Sequence, residues 1–257
     1  MIKNSTFRSL ATVLFLSTAA AATPALAQSS DFDPEGGVYI SVQAGVTSPT
    51  DETFEGIQAP DVGSPGAAGA PAVVDAGFDE GFVGTVAVGY RIPTRFLGLF
   101  QPSFEVEYSY AESDVSGGSF NGGDQIFGGD TEVNTFSINY QSDVRWSEGQ
   151  KLIPFWGGGI GIADVDSNIT YFPNNGIATA PTFAVTDGGT GLSLQSNIGL
   201  QYVLSDNIEL QGRVRYQRVS GLDFERTFVG SGGEIFNADL DGNFETVSFL
   251  AGVRFRF

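Results

Sequence analysis

Cysteine is absent from all 257 residues, so no disulfide staples the chain and no thiol stands ready to carry a lipid anchor. Histidine is absent as well. A Ser-His or His-Asp constellation of the kind that proteases, deacylases and acyltransferases use cannot be assembled. Basic residues are scarce: twelve Lys+Arg stand against thirty Asp+Glu, a net charge of −18. Nucleic acid, whose phosphates require a basic face, is thereby excluded as a partner. Past the first two dozen residues no apolar run reaches the roughly 20 residues that a membrane-spanning helix needs.

The apolar run that does exist is short and sits at the start. Lys3 and Arg8 precede Leu10 to Ala22, and Ala25-Leu26-Ala27 has the small-x-small pattern that signal peptidase accepts. We expect residues 1–27 to be a cleaved export signal, with cleavage before Gln28. Residues 28–37 would be a short periplasmic segment and 38–257 a single barrel domain. Loss of Lys3 and Arg8 makes the exported chain more acidic still.

The remaining sequence shows no 3.6-residue period. It shows strict alternation, the signature of strands with two unlike faces. Eight segments carry it: Val38–Thr47, Phe82–Arg91, Ser103–Ala111, Thr135–Trp146, Ile153–Ala163, Gly191–Tyr202, Ile208–Val219 and Thr246–Phe257. Each is close to the roughly 9–11 residues that carry a tilted strand across a bilayer. The connections alternate in length. Ile92–Pro102, Ser147–Leu152 and Val203–Asn207 are short. About 30 residues join the first two strands, and Glu112–Asn134, Asp164–Thr190 and Ser220–Glu245 are also long. Placing every long connection at one rim suits a membrane barrel with one face outside the cell. The expected fold is all-β: a closed antiparallel up-and-down transmembrane β-barrel of eight strands with four long extracellular loops.

The last strand sets Val247, Phe249, Ala251, Val253, Phe255 and Phe257 on one face, against Ser248, Leu250, Gly252, Arg254 and Arg256. A soluble barrel would turn the apolar face inward, whereas a membrane barrel turns it to lipid. Aromatics at the short-turn ends (Tyr90, Phe104, Trp146, Trp156, Tyr202, Phe255, Phe257) read as an interfacial belt. Phe82, Tyr110, Phe136, Tyr216 and Phe249 read as a second belt at the other rim. These belts favour lipid. Interrupted apolar residues also let the chain pass the inner membrane without stopping, and closed pairing later satisfies every backbone group.

Gly37-Val38-Tyr39-Ile40-Ser41, Val86-Ala87-Val88-Gly89-Tyr90-Arg91 and Pro154-Phe155-Trp156-Gly157-Gly158-Gly159-Ile160-Gly161 together resemble the small outer-membrane β-barrel domain family. That family includes the OmpA transmembrane domain and the opacity-type surface antigens. The final strand, ending on Phe255 and Phe257, looks like the signal read by the outer-membrane assembly machinery. The resemblance implies residence in the outer membrane. The partners it implies are membrane lipid, lipopolysaccharide, periplasmic chaperones and the barrel-assembly machinery. The chain stops at the barrel, so peptidoglycan binding by a following domain is not implied.

Several charged residues share the inner face: Glu105, Glu107, Asp143, Arg145, Glu209, Arg213, Arg215, Arg254 and Arg256. They form either a salt-bridge plug or a gate across a narrow conduit. Eight strands enclose just enough room for side chains, which favours the plug. Glu105 and Glu107 are paired by strand spacing and have no nucleophile beside them, so no catalytic residue and no cofactor is expected. The long connections hold 21 of the 30 acids and one basic residue, Arg226, which suits loose association with divalent cations. Asn237, Asp239 and Asp241 with Gly242 match half of a calcium loop, but Ser248 stands where the bidentate Glu belongs, and Asp-Gly is also an ordinary turn former. The glycine pairs at 117–118, 122–123, 128–129, 188–189 and 232–233 precede no helix and are not phosphate loops. The expected role is structural or surface-interacting (envelope integrity, adhesion, surface antigen). The alternative is a narrow porin-like channel for small solutes.

Overall fold

Two-faced strands without a helix among them can satisfy their backbone only by pairing edge to edge, and here they close into a ring. The computed structural model describes residues 35–58, 69–177, 180–229 and 235–257. The expected signal, most of the periplasmic segment and Gly232-Gly233 lie outside those residues. Ten antiparallel strands are present: β1 (Gly37–Pro49), β2 (Glu52–Ile57), β3 (Pro71–Phe78), β4 (Gly81–Arg91), β5 (Phe100–Phe120), β6 (Gly123–Val144), β7 (Leu152–Pro173), β8 (Phe183–Ser205), β9 (Ile208–Val229) and β10 (Ile235–Arg256). β4 to β10 pair in sequence order, each with the next, and β1 closes the ring between β4 and β10. Higher up, β2 continues β1 and pairs β10, while β3 continues β4 and pairs β5. Eight strands therefore surround the lumen at both levels.

Most of the described residues of the four long connections are strand, so the four loops rise as extended hairpins. Glu112–Asn134 is the outer half of the β5–β6 hairpin, closed by Asn121-Gly122 with φ of 48° and 75°. Positive φ at both positions defines the turn type that Asn-Gly favours because its twist matches the flanking strands. The β7–β8 and β9–β10 hairpins extend in the same way. A strand of 22 residues, such as β7, rises about 3.3 Å per residue and tilts by roughly 40°, so it stands about 55 Å tall. The lipid-facing band of such barrels is only about 25 Å tall. More than half of each long strand must stand in another solvent.

Its sequence adapts accordingly. Along β7 the outward residues run Leu152, Trp156, Ile160, Ile162, then Asp164, Asp166, Asn168. The inward ones run Phe155, Gly157, Gly159, Gly161, then Ala163, Val165, Ser167, Ile169, Tyr171. The apolar residues change face between Ile162 and Ala163 while the strand continues unbroken. β5 switches at Ala111/Glu112 and β6 at Val133/Glu132, level with β7 through the pairs Glu112–Glu132 and Glu132–Asp166. The lower half is thus apolar outside and polar inside, as lipid requires. The upper half is acidic outside and apolar inside, as a water-soluble barrel requires. Phe54, Val74, Val115, Val165, Ile169, Val185, Leu222, Phe224, Leu240 and Phe244 fill that upper lumen as one packed cluster. All seven aromatics of the lower belt lie exposed on the outer wall.

Candidate functional site: the plugged lumen

The inner face of the lower half is read off the alternation, and the structure puts all nine sequence-selected charges on it. Arg145 and Arg256 keep some exposure, and the other seven are buried. They fall at two levels. At the upper level, Glu107 accepts from Nη2 of Arg213 at 2.5 Å and from Nη2 of Arg215. Arg213 also reaches the Thr85 hydroxyl, and Arg215 Nε the Asn197 side-chain oxygen, both at 3.4 Å.

At the lower level, Glu209 is the hub. Arg91 donates to its two oxygens at 2.8 and 2.9 Å. Arg256, Arg145 and Arg254 stand 3.5, 3.9 and 3.9 Å away. Arg91 also lies 3.0 Å from Asp143, which accepts from Gln141 and Gln201. Arg254 donates to Glu105 at 2.6 Å and lies 4.0 Å over the ring of Tyr39, whose hydroxyl donates to the same carboxylate. Gly89 makes this possible, since a Cβ there would stand 2.3 Å from the Tyr39 ring.

Arg91 and Tyr39 are absent from the charge set expected from sequence. The signal was present: Thr85, Ala87, Gly89 and Arg91 continue one inner face of β4, with Thr85, Ala87 and Arg91 all buried. The candidate calcium ligands fare differently. Asn237, Asp239 and Asp241 lie exposed along the extended β10, opposite Thr227, Glu225 and Asp223. Alternate residues of a strand stand about 6.6 Å apart, so three such side chains do not converge on one ion. Among the described residues no group of three or more acids could hold a metal. Asp241-Gly242 makes no turn either, for it sits at a bulge opposite β9.

Above the charges comes a hydroxyl and amide layer. Gln217 donates to Thr135 and Ser193 at 2.9 and 3.0 Å, and Ser248 meets Thr47 at 3.0 Å. A cavity of about 10 Å³ in this layer has room for one water. The apolar cluster lies directly above it. From the periplasmic side a recess of about 200 Å³ beside Tyr39, Asn207 and Phe257 reaches Arg91.

A closed eight-strand ring with a lipid-facing apolar belt and a charged lumen defines an integral outer-membrane β-barrel. The chain belongs to the outer membrane protein beta-barrel domain family, whose model matches residues 11–257, and its place is the cell outer membrane. Among curated proteins no sequence matches it. Similar solved structures include Neisserial surface protein A, 15% identical over 87% of this chain and 100% of that one, with a TM-score of 0.45. OprG of Pseudomonas aeruginosa is 14% identical over 86% and 96%, with a TM-score of 0.44. The protease OmpT of Escherichia coli is 10% identical over 90% and 99%, with a TM-score of 0.49. Likenesses at this level carry no function from one chain to another.

Proposed function

We propose that this protein is a closed, non-conducting barrel with a structural or surface-interacting role, and not an enzyme or a solute channel. The stacking of two unlike plugs in one lumen carries this reading: salt-bridged arginines and glutamates below, a dry apolar core above. An ion that passed the lower level would still face a packed cluster of sixteen buried apolar residues drawn from the eight upper strands, which offers little to replace its water. The upper half then acts as a stalk that holds the hairpin ends clear of the membrane. Its outer face sets Glu112, Glu132 and Asp166 side by side on three neighbouring strands. Like charges so placed repel, which suits divalent cations shared with lipopolysaccharide phosphates as loose partners. The carboxylates Glu105 and Glu107 are engaged by arginines and have no free role in acid–base chemistry.

Single-channel recording in a planar bilayer tests closure. The purified protein is expected to give no resolved conductance steps in molar salt at neutral pH. Regular steps that scale with salt would make it a channel.

Phe257 and Phe255 are proposed as the assembly signal. Phe257 lies exposed at the end of β10, and its N–H donates to Val38 O across the closing seam. Deleting Phe257 is expected to cut the amount assembled in the outer membrane severalfold while export to the periplasm continues. Equal surface levels of both forms at low expression would contradict this.

A further inference from the structure

Arg226 is the one basic residue of the outer segments, and its surroundings differ from those of every other inward arginine. Arg91, Arg145, Arg213, Arg215, Arg254 and Arg256 each have a carboxylate within 4.0 Å. Among the described residues Arg226 has none, although it is only 5% exposed. Aromatic faces surround it instead. Its guanidinium carbon lies 4.2 Å from the Phe120 ring centre, 4.5 Å from that of Phe183 and 5.8 Å from that of Tyr171. Nε donates to the Tyr171 hydroxyl at 2.5 Å. That phenol is held above its ordinary pKa by burial, against the opposing pull of Arg226, so it keeps its own proton to donate.

These residues lie near the outer ends of their strands, and Phe228, two residues beyond Arg226 on the same face, adds its ring 4.8 Å from that of Phe183. Phe120 ends β5, Phe183 begins β8, Tyr171 is two residues from the end of β7 and Arg226 three from the end of β9. Phe127, Tyr171 and Phe183 stack at centroid spacings of 4.9 and 5.0 Å with interplanar angles near 10°. The outer mouth of the barrel is therefore a collar of flat apolar faces around one buried cation. Rings attract the guanidinium through their quadrupoles but accept none of its N–H bonds in the way an anion does. Its Nη edge and the Tyr171 proton remain as donors of the kind that grip two oxygens of one acid group.

We propose that this mouth is a binding site for an oxyanion carried on a flat ring: the acid group pairs with the Nη edge of Arg226 and the Tyr171 hydroxyl, and the ring lies against the aromatic collar. The inference rests on the reading above only in placing this mouth outside the cell. The acidic outer wall repels bulk anions, so the collar must supply much of the affinity. A plain inorganic anion is then a poor ligand, and a neutral ring lacks the pairing.

Titration calorimetry on the full chain in nanodiscs tests this with benzoate, benzyl alcohol and inorganic sulfate as probes. Benzoate is expected to bind at least tenfold more tightly than either of the others. R226Q is expected to abolish that preference, and R226K, which keeps the charge but loses the planar fork, to weaken it severalfold. Heat-modifiable gel migration shows whether each variant is folded, and F183L offers a second route by thinning the collar while the arginine stays. No benzoate binding to the wild type, equal binding of benzoate and benzyl alcohol, or unchanged benzoate affinity in folded R226Q would each overturn the proposal. Conductance enters none of these measurements, so a conducting barrel would refute closure and leave this result readable by itself.

Discussion

Replacing Glu209 by alanine is expected to destabilise the folded barrel by about 3–5 kcal/mol, the range found when one partner of a buried ion pair is removed. Its side chain is fully buried and faces four arginines. Among the described residues, alanine would leave Arg91 with Asp143 as its only carboxylate within 4.0 Å, and Arg256 with the exposed Glu35. Glu107→Ala removes the carboxylate that Arg213 and Arg215 share, and a loss of the same order is expected. Urea midpoints in lipid vesicles would measure both. Shifts equivalent to less than about 1 kcal/mol would mean that water already solvates the arginines, and the lower plug would then be a wet conduit. Even so, neither variant is expected to conduct, because the apolar layer above remains intact.

Phe224→Ala tests that upper layer. Phe224 lies 4.5 Å from Phe54, ring centre to ring centre, and both are buried in the apolar cluster. Truncating a buried phenylalanine removes its transfer free energy and leaves a cavity, together about 3–5 kcal/mol. The loss falls on the half that stands in water. Membrane insertion and heat-modifiable migration should survive, while limited proteolysis of the β7–β8 and β9–β10 hairpins should accelerate markedly. Unchanged proteolysis would show that the outer half does not depend on its interior packing.

The lower half of this structure was legible because lipid enforces one rule along every strand. Val247, Phe249 and Phe255 against Ser248, Arg254 and Arg256 give the faces directly, and the inner charges follow. The upper half was not legible as strand because its hydrophobic phase shifts by one residue at the membrane surface. A period counted from Ile160 and Ile162 finds Asp164 and Asp166 next and reads a loop, although Val165, Ile169 and Tyr171 carry the alternation onward on the other face. Asn121-Gly122 marked a hairpin turn that was read only as loop glycine. β2 and β3 were hidden for a different reason: each is short, and each is a continuation of a strand interrupted by two residues, at Thr50-Asp51 and Asp79-Glu80. Arg91 was passed over because it ends its segment, yet the geometry makes it the main partner of Glu209. The arginine-aromatic mouth needed long-range pairing to bring Phe120, Tyr171, Phe183 and Arg226 together, and no local pattern encodes that.

Single strands pass from lipid to water with their apolar side turning from the outside to the inside, which should leave the lumen dry above and ion-paired below. Isoleucine methyl NMR in nanodiscs tests it directly, with a lipid-borne nitroxide in one sample and a water-soluble paramagnetic chelate in another. The lipid probe should broaden Ile138, Ile160, Ile162 and Ile198, which lie exposed on the outer wall. Neither probe should reach Ile153 or Ile169, both fully buried inside. Broadening of Ile169 by the aqueous chelate would mean that water fills the outer lumen and that the upper half is not a dry core.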